Sequence, residues 1–131
     1  MSQPAAKQDD LVQAQDTHIQ MVPSPGGPVA TPLPSPFSGP LNAGLSGDVN
    51  IEGKPAAIQG CSADNDPPHV PDQGPFQTEP SNKATVIAGS ATVNINGVPA
   101  VRNGDTAMTC NDPVDLPIGT VVAAGTVNIG G

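Results

Sequence analysis

Two histidines and two cysteines carry the most specific chemistry in this chain. His18 and His69 lie in polar or proline-rich segments, and Cys61 and Cys110 each follow a segment that is repeated in the sequence. Four imidazole and thiolate ligands make up a closed tetrahedral zinc site, which is structural and activates no water. The four residues therefore form a candidate Zn²⁺ site, although their spacing contains neither the CxxC nor the HxxxH pattern of zinc fingers and ribbons.

Other interpretations of the same residues stay open at this point. The two cysteines could pair as a disulfide, which a cytoplasmic protein does not usually retain, or either could be a buried and inert thiol. His69 could be a capped loop residue, and His18 a solvated side chain. Pairs of carboxylates such as Asp64 and Asp66 could act as an acid and a base, but such pairs are more typical of solvated loops.

A segment of twelve residues occurs twice, at 49–60 and 93–104, with seven identical positions at a constant offset of 44 residues. A partial third copy occurs at 126–130. Repetition on this scale indicates one supersecondary unit that is used more than once, either stacked or arranged around an axis. The alternation of polar and β-branched residues predicts strands, and Asn96-Gly97 is a strong β-hairpin turn signal because both residues tolerate φ > 0. The repeated unit is therefore predicted to be a β-hairpin.

Composition limits the fold that these hairpins can build. The chain has 131 residues with 17 Pro and 15 Gly, and its only aromatic side chains are two Phe. This length predicts one domain, and the prolines disfavour long helices. We expect an all-β fold with a thin core, which needs a staple such as a metal, disulfides or a partner.

The charge of the chain excludes several functions. The formal net charge is −8, from 4 Lys and Arg against 12 Asp and Glu. Nucleic-acid binding needs a basic face, and an anionic membrane surface would repel this chain. The first ten residues lack the apolar core of a secretory signal, so we expect synthesis in the cytoplasm. If the protein leaves the cell, something else must carry it.

The chain divides into five predicted stretches. Residues 1–15 are predicted to form a polar N-terminal tail or short adaptor. Residues 16–40 contain Asp16-Thr17-His18 and then a Pro/Gly/Ser run over 23–40. That run is predicted to be ordered but irregular loop with polyproline character, with a flexible linker as the alternative. Residues 41–60 form the first hairpin and 61–83 a long insert. Residues 84–131 contain the second hairpin, a loop that bears a cysteine, and the last strands.

Several motifs in this order resemble the PAAR-repeat family. Each Val-Asn-Ile-x-Gly hairpin is followed by a Pro-Ala-Ala-Arg-like tetrapeptide, and the loop around His69 resembles the middle loop of the family. The likeness covers residues 16–131, which we treat as a single PAAR-like domain. The segments that carry it are Pro55-Ala56-Ala57-Ile58, Gly89 to Gly97, Pro99-Ala100-Val101-Arg102, Asn103-Gly104-Asp105, Thr109 to Pro113 and Pro67 to Pro71.

The resemblance implies a fold and a function. PAAR proteins are small pointed cones of β-hairpins with a pseudo-threefold arrangement, Pro/Gly-rich loops and a metal-stapled apex. They cap the spike of contractile injection systems, which include type VI secretion systems, extracellular injection particles and phage tails. One tip chain docks on a trimeric β-helical spike of the VgrG or phage-hub kind, and the sharpened tip pierces the target membrane. The implied function is structural, without enzymatic activity, in a particle that leaves the cytoplasm.

The resemblance also implies the metal site. Family ligands are three His and one Cys, usually around zinc, and His18, His69 and Cys110 fall in the ligand-bearing loops. With no third His in the chain, Cys61 is the predicted fourth ligand. Because Cys61 occupies the position of Asp105 in the second repeat, an aspartate or a water is the alternative. Fe²⁺ competes with Zn²⁺ for such mixed N/S sites.

Two other functional classes remain. The chain could be an adaptor module whose first 15 residues recruit effector cargo to a spike. It could also be a small hydrolase that uses carboxylates such as Asp112 and Asp115.

Overall fold

The computed structural model describes residues 2–130, and they form an all-β protein, as the sequence predicted. No helix within 2–130 is long and apolar enough to span a membrane. The strands are β1 (Gln3–Pro4), β2 (Leu11–Val22), β3 (Val29–Ala43), β4 (Asn50–Ile51), β5 (Lys54–Pro55), β6 (Ser62–Asp64), β7 (Lys83–Val86), β8 (Asn94–Ile95), β9 (Val98–Pro99), β10 (Thr106–Thr109), β11 (Leu116–Val122) and β12 (Asn128–Ile129).

Six of these strands close into an antiparallel barrel, which the sequence analysis did not predict. The order around the barrel is β10-β11-β2-β3-β6-β7. Its longest part is the β2–β3 hairpin, which pairs twelve residues without a break from Leu11↔Pro40 to Val22↔Val29. The hairpin extends well beyond its short barrel neighbours, since β6 has three residues and β7 and β10 have four each.

The repeated segments form two-stranded ribbons outside the barrel. β4 pairs with β5 and β8 pairs with β9, which confirms the two predicted hairpins. Their turn residues Glu52-Gly53 and Asn96-Gly97 all have positive φ, between 52° and 82°. This conformation gives the type I′ twist that suits a two-residue hairpin loop.

A third ribbon is built from the two ends of the chain. β1 pairs with β12 through Gln3↔Ile129 and Pro4↔Asn128. Pro4-Ala5-Ala6-Lys7 is therefore a third copy of the Pro-Ala-Ala-Arg-like motif, and its hairpin partner is the partial copy at 126–130. This copy was not predicted from the sequence, because its two halves lie at opposite ends of the chain.

The predicted polar tail over residues 1–15 is thus wrong for the residues that the structure describes. Ala5 and Ala6 are among the most buried residues, with exposures of 1% and 0%. β2 begins at Leu11, so the predicted boundary between 15 and 16 falls inside a strand. The polar composition of residues 1–15 led to the wrong prediction of a tail. The alanines of the motif are small, yet the threefold packing buries both of them.

A cyclic ring of backbone hydrogen bonds joins the three motif copies. Ala6 N donates to Val101 O (2.9 Å), Val101 N to Ala57 O (3.1 Å), and Ala57 N to Ala6 O (3.0 Å). A second ring runs around the axis in the opposite sense. Its donors lie two residues after those of the first ring and its acceptors are the motif prolines, with Gln8 N to Pro55 O, Gln59 N to Pro99 O and Asn103 N to Pro4 O at 2.8–2.9 Å. Equivalent residues make equivalent bonds around one axis, so the predicted pseudo-threefold arrangement is confirmed.

The core lies in layers along this axis. On the ribbon side of the ring, the second motif residue of each copy packs with the isoleucine of each ribbon: Ala5, Ala56, Ala100, Ile51, Ile95 and Ile129. On the barrel side, the third motif residues join a separate cluster that fills the barrel and includes Val12, Leu41, Val86, Ala107 and Val121. Alternate motif residues therefore face opposite clusters, as expected for extended segments.

The proline-rich run that was predicted to be irregular loop is mostly strand β3. Ser38 N donates away from β2, to Asn65 Oδ1 (3.0 Å), so every second residue of β3 directs its N–H toward that outer edge. Pro32, Pro34 and Pro36 occupy the same alternate positions, where a missing N–H does not weaken the pairing with β2. At these three positions the edge has no donors, which protects it from pairing with another chain.

Removing the N-terminal motif should therefore destabilise the whole fold. A chain that lacks residues 2–6 loses β1, two buried alanines and the hydrogen bonds that Ala6 makes in the ring. We expect its free energy of unfolding to fall by at least about 3 kcal/mol, measured by urea denaturation. Removing only Ser2, which is exposed, is the control and should have no measurable effect. Equal stability of the two truncated chains would show that this segment is a dispensable tail.

Candidate metal centre

Four potential metal ligands converge at the end of the barrel that lies away from the ribbons. Asp16, His18, His69 and Cys110 each offer one ligand atom, and these atoms all lie within 4.8 Å of one another. Asp16, His18 and Cys110 are 0%, 1% and 3% exposed. Three of the four are residues that the sequence analysis selected, and the fourth is an aspartate two positions before His18.

Strand β2 supplies two of the ligands. Asp16 and His18 are two residues apart, so the period of the strand directs both side chains to the same interior face. Thr17, which lies between them, is held to the segment after Cys110 by two hydrogen bonds. Its N–H donates to Asn111 Oδ1 (2.8 Å), and its C=O accepts from Asp112 N (2.9 Å).

Cys110 follows β10 directly, and its neighbours bind it to β2. Thr109 donates its hydroxyl to Asp16 Oδ1 (2.6 Å), which leaves Asp16 Oδ2 to face the cluster. The Cys110 thiol lies 3.5 Å from this Oδ2 atom and 3.6 Å from His18 Nε2. These bonds position three of the four ligand atoms before any ion is present.

His69 comes from the irregular segment between β6 and β7. Its backbone N–H donates to Asn82 Oδ1 (2.7 Å), and its Nε2 atom lies 2.9 Å from Asp16 Oδ2. The Nδ1 atom lies 3.2 Å from the amide nitrogen of Asn65, whose oxygen accepts from Ser38 N (3.0 Å). This arrangement places the ring proton on Nε2, so binding of a metal at Nε2 requires Asn65 to turn its amide.

The two distances from Cys110 Sγ fit a tetrahedral ion. With metal–sulfur bonds of about 2.3 Å and metal–nitrogen or metal–oxygen bonds of about 2.0–2.1 Å, the edges of a tetrahedron are about 3.5 Å from sulfur and about 3.3 Å between N and O atoms. The two edges from Cys110 Sγ are 3.5 and 3.6 Å. The edge from His69 to Asp16 is shorter at 2.9 Å, the length of the hydrogen bond that joins these two residues.

His18 has an unpartnered atom that metal binding would explain. Its Nδ1 atom is buried and makes no hydrogen bond, and the nearest carboxylate oxygen is Asp112 Oδ2 at 3.5 Å. Metal-binding histidines usually donate their other ring N–H to a carboxylate, which fixes the tautomer. Asp112 is in that position and is itself held by Ile19 N (2.9 Å). Burial, reinforced by the nearby His69, lowers the pKa of His18 and favours the neutral ring that binds metal.

The protonation of Cys110 links metal binding to pH. Burial, together with the charge of Asp16, raises the pKa of the Cys110 thiol to about 11. The metal-free site therefore contains a neutral thiol at pH 7, whereas the ligand to a metal is the thiolate.

The structure does not bring Cys61, the predicted fourth ligand, to this cluster. Cys61 is fully buried in the barrel core, and burial raises the pKa of its thiol to about 11. In the other two copies its position holds an aspartate, and Lys7–Asp10 and Arg102–Asp105 are ion pairs at 3.3 and 2.9 Å. The copy at 49–60 has apolar Ile58 in the place of the Lys or Arg and Cys61 in the place of the aspartate. Cys61 is therefore the apolar counterpart of a structural aspartate.

Asp16 is the ligand that the sequence analysis did not select. An aspartate was predicted only as a generic alternative to Cys61. The available signal was the Asp-x-His spacing of residues 16 and 18, which puts both side chains on one face if the segment is a strand. That signal could not be used, because His18 was assigned to a ligand-bearing loop and not to a strand.

The fold and the site together define a small all-β protein with a threefold ring at one end and a buried Asp-His-His-Cys cluster at the other. Neither a protein-family model nor a curated protein sequence matches the chain. The cluster can hold a metal ion, and the geometry alone does not specify which one.

The two buried cysteines provide a matched test of the site. We expect the protein to bind one metal ion per chain, and Cys110→Ala to lose it because the substitution removes a ligand atom. Cys61→Ala removes the same group from the core, so it should keep the ion and lose only about 1–2 kcal/mol of stability. Elemental analysis of the purified variants measures the ion, and urea denaturation measures the stability. Loss of the ion in both variants would instead return Cys61 to the site.

Metal binding should also release a proton. Because the pKa of Cys110 is about 11 in the metal-free protein, forming the thiolate expels one proton for each ion bound. The apparent affinity should therefore fall about tenfold for each unit that the pH is lowered near neutrality, since each pH unit is worth about 1.4 kcal/mol per proton. Calorimetry in two buffers with different ionisation enthalpies counts the protons. Binding without proton release would show that the thiol is not a ligand.

Proposed function

We propose that this protein is the structural tip of a contractile injection system, which caps a trimeric β-helical spike and sharpens it for piercing a membrane. The observation that carries the proposal is the cyclic ring of three motif copies within a single chain. A monomer that docks on the axis of a trimer must offer three nearly equal surfaces, and this ring provides them. The resemblance to PAAR-repeat motifs supports the same proposal.

The ribbon end of the molecule has a suitable docking surface. We define the ribbon end by the three valines that precede the repeated Asn-Ile pairs and by the three isoleucines beneath them. Val49, Val93 and Val127 are 37%, 36% and 42% exposed, and Ile51, Ile95 and Ile129 are 7–8% exposed. Apolar residues exposed in a symmetric set are typical of a surface that a partner covers.

The candidate metal centre lies at the opposite end from this surface. β2 leaves the ring after Asp10, and at about 3.3 Å per strand residue it carries Asp16 and His18 roughly 20–25 Å away. The β2–β3 hairpin continues beyond them to an exposed turn at 23–28. This arrangement supports a tip in which the base docks on the spike and the metal stabilises the apex.

We propose Zn²⁺ as the ion, with a structural role. One thiolate, two imidazoles and one carboxylate suit Zn²⁺, which imposes little geometric preference, and Fe²⁺ is the alternative. The protein supplies all four ligands, and three of them are at most 3% exposed. Catalytic zinc sites keep one position open for water, so this closed set supports a staple rather than an enzyme.

No specific observation favours the other functional classes. Residues 3–15, which could have formed a cargo-binding tail, belong to the ring and the barrel. Among the carboxylates considered for a hydrolase, Asp64 pairs with Lys83 at 2.7 Å and Asp112 accepts a hydrogen bond from Ile19 N at 2.9 Å. Synthesis in the cytoplasm, export within an injection particle and contact with a target membrane remain parts of the proposal.

Docking should depend on the three exposed valines of the ribbon end. We expect one tip chain to bind one trimer of a β-helical spike protein encoded in the same genome, as counted by native mass spectrometry. The triple variant Val49→Asp, Val93→Asp and Val127→Asp should weaken binding at least about 100-fold, because three charges would be desolvated in the interface.

A matched control changes three exposed valines elsewhere. Val29, Val70 and Val114 are 53%, 73% and 62% exposed and lie away from the ribbon end. The triple variant with Asp at these positions has the same charge and should bind the spike like the unmodified protein. Equal loss of binding in both variants would point to a general charge effect. Unchanged binding in the ribbon-end variant would contradict the proposed docking surface.

A further inference from the structure

A cavity of about 310 Å³ lies beside the candidate metal centre. One wall is the outer edge of β3 at Pro34 and Pro36, and the other is the segment from Asn65 to Asp72. His69 is the only one of the four cluster residues that lines this cavity.

The prolines of β3 account for the cavity. Asp66 N donates to Ser38 O (3.1 Å), which fixes the start of the facing segment against β3. Further along, Pro36 and Pro34 have no N–H to offer, so the facing segment cannot continue as a paired strand. Its backbone next donates to the barrel where Gln73 N and Gly74 N bond to the buried Gln20 side chain (2.8 and 3.2 Å). In between, His69 N donates to Asn82 Oδ1 (2.7 Å), and Asp72 Oδ1 accepts from Gln20 Nε2 (3.2 Å). We call this separated stretch, residues 67–72, the gate segment.

The other three ligands have no comparable access. Asp16 and His18 point inward from β2, and Cys110 is bound to β2 through its neighbours Thr109 and Asn111. The gate segment is largely exposed, with Val70 at 73%. An ion that enters the cavity therefore meets His69 first, and His69 can move away without breaking a strand pair because it lies in no strand.

We propose that the cavity is the route by which the metal ion enters and leaves, and that His69 is the exchangeable ligand that closes it. This inference rests on the proposed metal site. When the gate segment swings outward, a small donor molecule in the cavity can take the coordination position of His69 Nε2. The other three residues keep the ion in place meanwhile.

Chemical rescue distinguishes this route from a closed site. The probe is Co²⁺, whose thiolate complex absorbs visible light, with imidazole as the external donor. In His69→Gly the lost ring opens into the cavity, so millimolar imidazole should restore Co²⁺ affinity at least about tenfold, the size of effect typical of one lost supporting group. In the control His18→Gly the vacated space is enclosed, and imidazole should restore nothing.

A second measurement applies if either glycine variant fails to fold. Pro68→Gly loosens the gate segment without removing a ligand, and we expect it to lose Co²⁺ to a chelator about tenfold faster than the unmodified protein, the lower end of the range for residues that orient a ligand. Pro25→Gly makes the same change in the exposed turn at 23–28 and should leave the rate unchanged.

The outcomes separate the two proposals. If the unmodified protein binds no Co²⁺, the metal site itself fails. If it binds one ion but imidazole rescues both glycine variants equally or neither, or if Pro68→Gly releases the ion no faster, the site stands and the route through His69 is wrong.

Discussion

The ring of three backbone hydrogen bonds around the axis is the constraint on which the rest of the structure depends. Ala6, Ala57 and Val101 must approach closely enough for each N–H to reach the next C=O, at 2.9–3.1 Å. Only small side chains fit there, and these three are at most 1% exposed. The ring fixes the starting point and direction of three outgoing strands on one side and three ribbons on the other. It also keeps the core thin, because alanines bury little apolar area.

The thin core explains why the far end of the molecule is polar inside. Beyond Phe37 the interior is filled by Asp16, His18 and Gln20, each at most 1% exposed, rather than by apolar side chains. Burying such groups is costly unless each finds a partner. The side chain of Gln20 is satisfied by Asp72 Oδ1 and by the N–H groups of Gln73 and Gly74, whereas His18 Nδ1 is not satisfied. A bound metal ion would neutralise this cluster and could contribute roughly 10–16 kcal/mol of apparent binding free energy, as in small zinc domains.

Much of the fold could be predicted from sequence, and what escaped has identifiable physical causes. The two complete hairpins and the all-β class follow from the repeats and from Asn96-Gly97, and the threefold arrangement was implied by the family resemblance. The third copy escaped because its strands come from opposite ends of the chain. Strand β3 escaped because proline normally opposes pairing, and only the register shows that its prolines face the free edge. At the site, His18, His69 and Cys110 could be selected by residue type. Choosing between Cys61 and Asp16 required knowledge of which side chains face inward.

The origin of the ligands joins these observations. Each repeat unit sends out one barrel hairpin, β2–β3, β6–β7 or β10–β11, and the hairpins have different lengths and connections. Asp16 and His18 come from the first hairpin, His69 from the connection within the second, and Cys110 from the connection within the third. A single ion at the cluster would therefore tie all three units together at one end, as the hydrogen-bonded ring does at the other. The threefold symmetry of the ring is not kept at the cluster, because four ligands around one ion cannot be shared equally among three units.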